Sequence, residues 1–128
     1  MHFILGLTIG IILGLLLGIF LGFLNHRYKR DSSAISPKKA KEMIADNEFD
    51  FVIDVRTLEE WNQGHLQTAI HIPINELVNE LPNKVPDKLS TILFYCKRGI
   101  RASGAVEIAK KLGYKNTYYL QGGYSDFQ

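Results

Sequence analysis

The single cysteine of this 128-residue chain, Cys96, stands in the stretch FYCKRGIRAS. Lys97, Arg98 and Arg101 follow within five residues, with Gly99 and Ile100 between them. A thiol attacks as its thiolate, and nearby cations together with the unpaired amides of a helix start are the surroundings that favour that form. A lone cysteine is otherwise a small buried hydrophobe, and cations near a helix start are otherwise simply solvated. Here thiol, glycine-containing loop, arginine and helix start occur together, and each part serves anion binding. The stretch therefore points to a nucleophilic cysteine whose substrate is an anion.

Elements that place such a loop are legible on both sides of it. TILFYC is an uninterrupted apolar run, as in a strand buried on both faces, and it delivers Cys96 at the strand's carboxyl end. Beyond the loop, Ala102, Ala105, Val106, Ala109 and Leu112 recur at helical spacing up to Gly113, a suitable helix-ending residue. Upstream, Ser36-Pro37 reads as a helix cap followed by a proline in the first turn. FDFVIDV reads as a strand, and Thr57 and Glu60 have capping-box spacing for a short helix after it. AIHIPI is a second short strand, NELVNEL a helix starting at Asn75, and Pro82 and Pro86 then break the chain. NTYYL supplies a last strand before Gly122-Gly123. Strands alternating with helices predict an α/β fold, a small mostly parallel sheet with helices on both faces, in which ligands bind outside the carboxyl ends of the strands.

The front of the chain is different. From Phe3 to Leu24 there are 22 residues without a charge, enough helix to cross a hydrocarbon core of roughly 30 Å. No basic residue run precedes it, whereas Asn25-His26-Arg27-Tyr28-Lys29-Arg30 follows. That asymmetry predicts an uncleaved single-pass anchor with its N-terminus outside and the C-terminal domain cytoplasmic. The predicted organisation is an anchor over 3–24, a basic and polar linker over 25–35 and a domain over 36–128. Gly6, Gly10, Gly14, Gly18 and Gly22 form a stripe on the anchor, the kind of row along which helices pair. Ten linker residues reach at most about 35 Å, which keeps the domain near the bilayer.

All 15 Lys and Arg and all 13 Asp and Glu lie after the apolar segment, so the soluble part that follows it, linker included, carries a net charge of only +2. No basic stripe with interleaved aromatics marks a nucleic-acid partner. One cysteine excludes an internal disulfide, and His2, His26, His65 and His71 have no zinc-like spacing with it, so neither metal nor cofactor is expected.

The loop resembles the active-site loop of rhodanese-like domains, C-x-x-G-x-R, met here by Cys96, Gly99 and Arg101. VIDVRTLEEWNQGHLQTAIHIP is similar to that family's Asp-x-Arg, acidic-aromatic and Gly-His signature, and YYLQGGY to its closing Leu-x-Gly-Gly motif. The resemblance implies a sulfurtransferase in which Cys96 takes a sulfane sulfur from a small anionic donor, carries it as a persulfide and passes it to a thiol or other acceptor. It implies that backbone amides of residues 97–101 cradle the persulfide, that Arg101 orients the loop or binds the anion, and that Lys97 and Arg98 draw anions inward. Asp54 and Arg56 match the Asp-x-Arg element and are expected to support the site; Glu60, Gly64 and His65 match an element whose implied role is structural.

Two other readings belong to different classes. Cysteine phosphatases of this fold use C-x5-R around a tetrahedral oxyanion, whereas Cys96 and Arg101 give C-x4-R, a ring that favours sulfur over phosphate; an arsenate reductase that resolves through its own second cysteine is excluded. A non-catalytic membrane-tethered binding module is the other alternative, against which the presence of Cys96 argues. Ala102 stands where family members often have Ser, and Phe127 where they often have Trp, so capping at the loop and a full last helix are not expected.

Overall fold

The structure is a computed structural model that describes residues 2–27 and 32–128. Tyr28, Lys29 and Arg30, on which the predicted orientation partly rests, lie outside the described residues, as do the side chains of His26 and Arg27. The chain forms two compact units, residues 1–32 and 33–128.

The first unit contains one helix among its described residues, α1 (His2–Arg27). Its stretch Ile4–Phe23 reaches a mean hydropathy of 2.8 over an 18-residue window, none of which is buried. Such an exposed apolar helix is what a membrane span or a signal segment requires. A methyl group added at Gly6, Gly10, Gly14, Gly18 or Gly22 would meet nothing within 4 Å, so the glycine stripe is open.

The second unit is built on five parallel strands: β1 (Ala34–Ile35), β2 (Phe51–Asp54), β3 (Ala69–His71), β4 (Thr91–Tyr95) and β5 (Asn116–Leu120), in the order β1-β5-β4-β2-β3. All-parallel pairing requires crossovers, and these are supplied by α2 (Pro37–Ala45), α3 (Leu58–Gln63), α4 (Leu77–Lys84) and α5 (Ile100–Lys111). Alternation of side chains along β2 and β4 sends Ile53, Ile92 and Phe94 to one face, where they pack with Leu77 and Leu81 of α4 and Ala102, Ala105 and Ala109 of α5. Val52, Leu93 and Tyr95 go to the other face and meet Ala40 of α2 and, near the C-terminus, Tyr124 and Phe127. Both faces are therefore covered, which is why β4 reads as continuous apolar sequence.

Local sequence explains the element starts. Ser36 caps α2 by accepting from the Lys39 amide, with Pro37 in the first turn. Thr57 and Glu60 form a complete capping box on α3. Three details depart from the sequence expectations. Ala34–Ile35 pairs with β5 as an edge strand, although the linker was expected to run to residue 35; two residues are too few to show a periodic pattern. Pro82 lies inside α4 rather than ending it, because Leu77 and Leu81 are fully buried and hold the last turn on the core. The segment predicted as a helix from Asn75 begins as a 3-10 turn over Ile74–Glu76. A 3-10 turn over Tyr124–Phe127 closes the fold, the short last element expected from the sequence.

Candidate active site

Cys96 follows β4 directly and is 1% exposed. Its Sγ accepts the Gly99 amide at 3.0 Å and the Ala102 amide at 3.4 Å, so the chain curls around the sulfur and then enters α5. Gly99 makes the curl possible: its φ is +96°, a region side chains disfavour, and an added Cβ would lie 3.3 Å from the Leu120 carbonyl oxygen. The loop is held from below by the residues after β5. Tyr124 donates its amide to the Cys96 carbonyl at 3.0 Å, and Gly123 lies so close to Lys97 that any Cβ there would overlap the Lys97 carbonyl. Two successive backbone contacts thus fix where Cys96 and Lys97 sit.

The expected loop residues separate into distinct roles. Gly99 presents its amide to sulfur, and the second amide comes from Ala102, one residue beyond the predicted 97–101 cradle. Lys97, Arg98, Ile100 and Arg101 line a cavity of about 330 Å³ together with Cys96. Lys97 and Arg98 are exposed, and Ile100 projects at its rim, 81% exposed. Arg101 is engaged elsewhere: its Nη1 and Nη2 donate to Glu60 Oε1 and Oε2 at 2.6 and 3.0 Å. Arg101 hydrogen bonding holds the Glu60 carboxyl down at about 2, and the same bonds raise Arg101. Glu60 Oε1 also accepts from the Thr57 amide and hydroxyl, both at 3.1 Å, so the cap of α3 and the Cys96 loop share one carboxylate.

Asp54 and Arg56 form a buried pair beneath this arrangement. Arg56 Nε donates to both Asp54 oxygens at 3.0 Å and its Nη2 donates to Oδ2 at 2.7 Å. The same Nη2 donates to the Gly64 carbonyl at 2.7 Å, and the guanidinium lies 4.5 Å from the Tyr124 ring centroid. Burial works to lower Arg56, but hydrogen bonding to Asp54 and its charge outweigh this and raise it. Arg56 therefore ties β2, the end of α3 and the C-terminal turn together. Burial raises Tyr95, whose hydroxyl accepts the Leu66 amide at 3.1 Å.

His65 stacks on Trp61 with ring centroids 3.4 Å apart, and His71 stacks on the same indole at 4.9 Å. His65 lines neither the Cys96 cavity nor the one next to it. Among the described residues no three His, Cys, Asp or Glu side chains converge as metal ligands would. Sequence reasoning missed Ala102, Gly123, Tyr124 and the pairing of Glu60 with Arg101. The Gly-Gly-Tyr motif was visible, but not its contact with the loop, and Glu60 was legible as a cap and as part of a structural element, not as the partner of Arg101.

A parallel α/β domain with a cysteine in an amide-lined loop at the end of a central strand defines a class of fold built for a nucleophilic cysteine that handles anions. Residues 36–128 match the family described as the rhodanese-like domain, and the chain belongs to that family. Thiosulfate sulfurtransferase PspE of Escherichia coli is 42% identical over 62 residues, 48% of this chain and 60% of PspE. The probable adenylyltransferase/sulfurtransferase MoeZ of Mycobacterium tuberculosis is 34% identical over 91 residues, 71% of this chain but 23% of MoeZ. The chain thus spans less than two thirds of the length of either relative. Among solved structures, the human single-domain sulfurtransferase TSTD1 superposes with a TM-score of 0.68 at 25% identity, covering 75% of this chain and 95% of that one. A rhodanese with anions from E. coli gives 0.55 at 38% identity, covering 59% and 88%.

Proposed function

We propose that the protein is a membrane-tethered sulfurtransferase with Cys96 as its catalytic residue. The Cys96 thiolate attacks the sulfane sulfur of thiosulfate, the S–S bond breaks, and sulfite leaves with the electron pair, so that Cys96 holds a persulfide. A thiophilic acceptor then attacks the outer sulfur, and the Cys96 thiolate is regenerated. The supporting observation is the pair of amides aimed at Cys96 Sγ, donors already in place for the thiolate that attacks and is later regenerated. Lys97 and Arg98 attract the anionic donor, Gly99, Ile100 and Arg101 shape the loop, and Asp54 and Arg56 keep the underlying turn in place.

The tether is the apolar helix over Ile4–Phe23, with the domain on the cytoplasmic side, a reading supported by the basic run after the span in the sequence. The activity is tested by thiocyanate formation from thiosulfate and cyanide with the full chain in detergent, beside Cys96→Ser. Turnover lost in the variant supports the reading, and equal silence of both with cleavage of a phosphate ester contradicts it. Labelling of Cys96 in intact against permeabilised cells tests the orientation, labelling only after permeabilisation being the expected result.

A further inference from the structure

The end of the domain opposite Cys96 carries a second cluster of cations. Strand β4 runs toward Cys96 and α5 starts beside it, so the 12 residues of α5, at about 1.5 Å each, carry Lys110 and Lys111 about 18 Å away from the loop. The Lys115 amide donates to the Lys88 carbonyl at 3.4 Å, and Lys88 Nζ donates to the Leu112 carbonyl at 2.7 Å, which gathers Lys88, Lys110, Lys111 and Lys115 at one corner. Leu89, whose carbonyl accepts from Asn116 Nδ2 at 2.9 Å, stands at the same corner and is 64% exposed. Of the carboxylates nearby, Asp50 and Asp87 accept the backbone amides of Thr91 and Leu89, and Glu107 lies 3.9 Å from Lys110. Lys111 and Lys115 have no ion-pair partner among the described residues. Asp46 and Glu48 follow α2, which covers the other face of the sheet, so the cationic corner belongs to the α5 side. The chain also enters the domain from this end: β1 is parallel to β5, and the linker therefore reaches it from the amino ends of the strands. Ser33, just before β1, accepts Lys110 Nζ on its hydroxyl oxygen at 3.1 Å. We infer that the corner of Lys110, Lys111, Lys115 and Leu89 is a membrane-docking surface that rests on anionic lipid headgroups and turns the Cys96 cavity toward the aqueous phase.

This rests on the tether proposed above, which supplies what surface lysines alone lack. Held by a linker of about ten residues, the domain meets the bilayer at high effective concentration, so the lysines need only select which surface faces it. Charge selects anionic lipid as the partner: the ammonium groups meet headgroup phosphates while Leu89 enters the apolar boundary beneath them. Lys97 and Arg98 form the competing cationic surface, at the end of the domain that the linker does not enter. The selection is electrostatic, so it weakens with salt.

The full chain carrying Cys96→Ser and a single labelling site, Leu89→Cys or Ile100→Cys, is given an apolar fluorophore. Ile100, 81% exposed at the rim of the Cys96 cavity, reports on the opposite end of the domain. The labelled chain is placed in phosphatidylcholine vesicles with or without about one third phosphatidylglycerol, a few headgroups carrying a spin-label quencher. In the anionic vesicles, quenching at residue 89 is expected to exceed that at residue 100 about threefold or more. The difference is expected to vanish in phosphatidylcholine alone, in strong salt, and in the combined variant Lys111→Glu with Lys115→Glu. Quenching at residue 100 equal to or above that at residue 89 in the anionic vesicles overturns the docking surface, as does a difference that survives strong salt or the charge reversal. Release of the full chain from vesicles by a strong-salt wash overturns the tether on which it rests, and that failure is read before any quenching is compared.

Discussion

Glu60 and Arg101, 41 positions apart, meet in a two-point ion pair with contacts of 2.6 and 3.0 Å, and through it the cap of α3 is fastened to the loop that carries Cys96. The loop arginine is thus held by a carboxylate of the protein, and its planar fork is oriented before any substrate arrives. The pair holds Arg101 in place as part of the wall of the Cys96 cavity.

Glu60→Gln removes that hold. With both side chains partly exposed, 33% for Arg101 and 24% for Glu60, the pair contributes about 1 kcal/mol or less to stability. Loss of orientation costs activity more, about tenfold in kcat/KM with thiosulfate. Because Glu60 is lowered to about 2 from an ordinary value of 4.5, its contribution is fully present above 4.5 and is lost as pH falls through about 2. Urea denaturation of wild type and variant from pH 6 to pH 2 is expected to show a stability gap that closes on acidification; a gap that widens contradicts the assignment.

Gly123→Ala is expected to damage loop and fold together, since its methyl group would overlap the Lys97 carbonyl. Backbone faces it on that side, so relief requires moving the Cys96 loop away from the C-terminal turn. The expected loss is about 2 to 3 kcal/mol in denaturant unfolding, with sulfur transfer falling at least tenfold in the fraction that remains folded. A change at Gly104, where an added Cβ meets only the end of the Ile74 side chain at 3.7 Å, serves as the matched control.

Asp54→Asn leaves the Arg56 guanidinium buried, at 5% exposure, without its counter-charge. Breaking one side of a buried pair costs on the order of 3 to 5 kcal/mol. The melting temperature is expected to fall accordingly, and Asp54→Asn combined with Arg56→Met is expected to recover part of the loss. A double variant no better than the single one would show that the four hydrogen bonds from Arg56 to Asp54, and not charge, hold this corner.

What the sequence made legible was local. The capping box of Thr57 and Glu60, the Ser36-Pro37 start, the buried run before Cys96 and the helical spacing from Ala102 each lie within one element, and each formed as expected. What was hidden depends on pairs far apart in the chain. Nothing near Glu60 indicates Arg101 as its partner, nothing in Gly123 indicates the Lys97 carbonyl, and Ala34–Ile35 becomes a strand only because β5 offers its edge. Ala102 was missed for a different reason: its amide reaches Sγ because Gly99 takes a left-handed φ that brings the first turn of α5 back toward the sulfur.

The chemistry assigned to Cys96 is tested most directly by the intact mass of the full chain after brief exposure to thiosulfate and removal of excess reagent. The account predicts a gain of one sulfur atom in the wild type, located on the peptide containing Cys96, reversed by cyanide and absent in Cys96→Ser. An unchanged wild-type mass, or the same gain in Cys96→Ser, would contradict it.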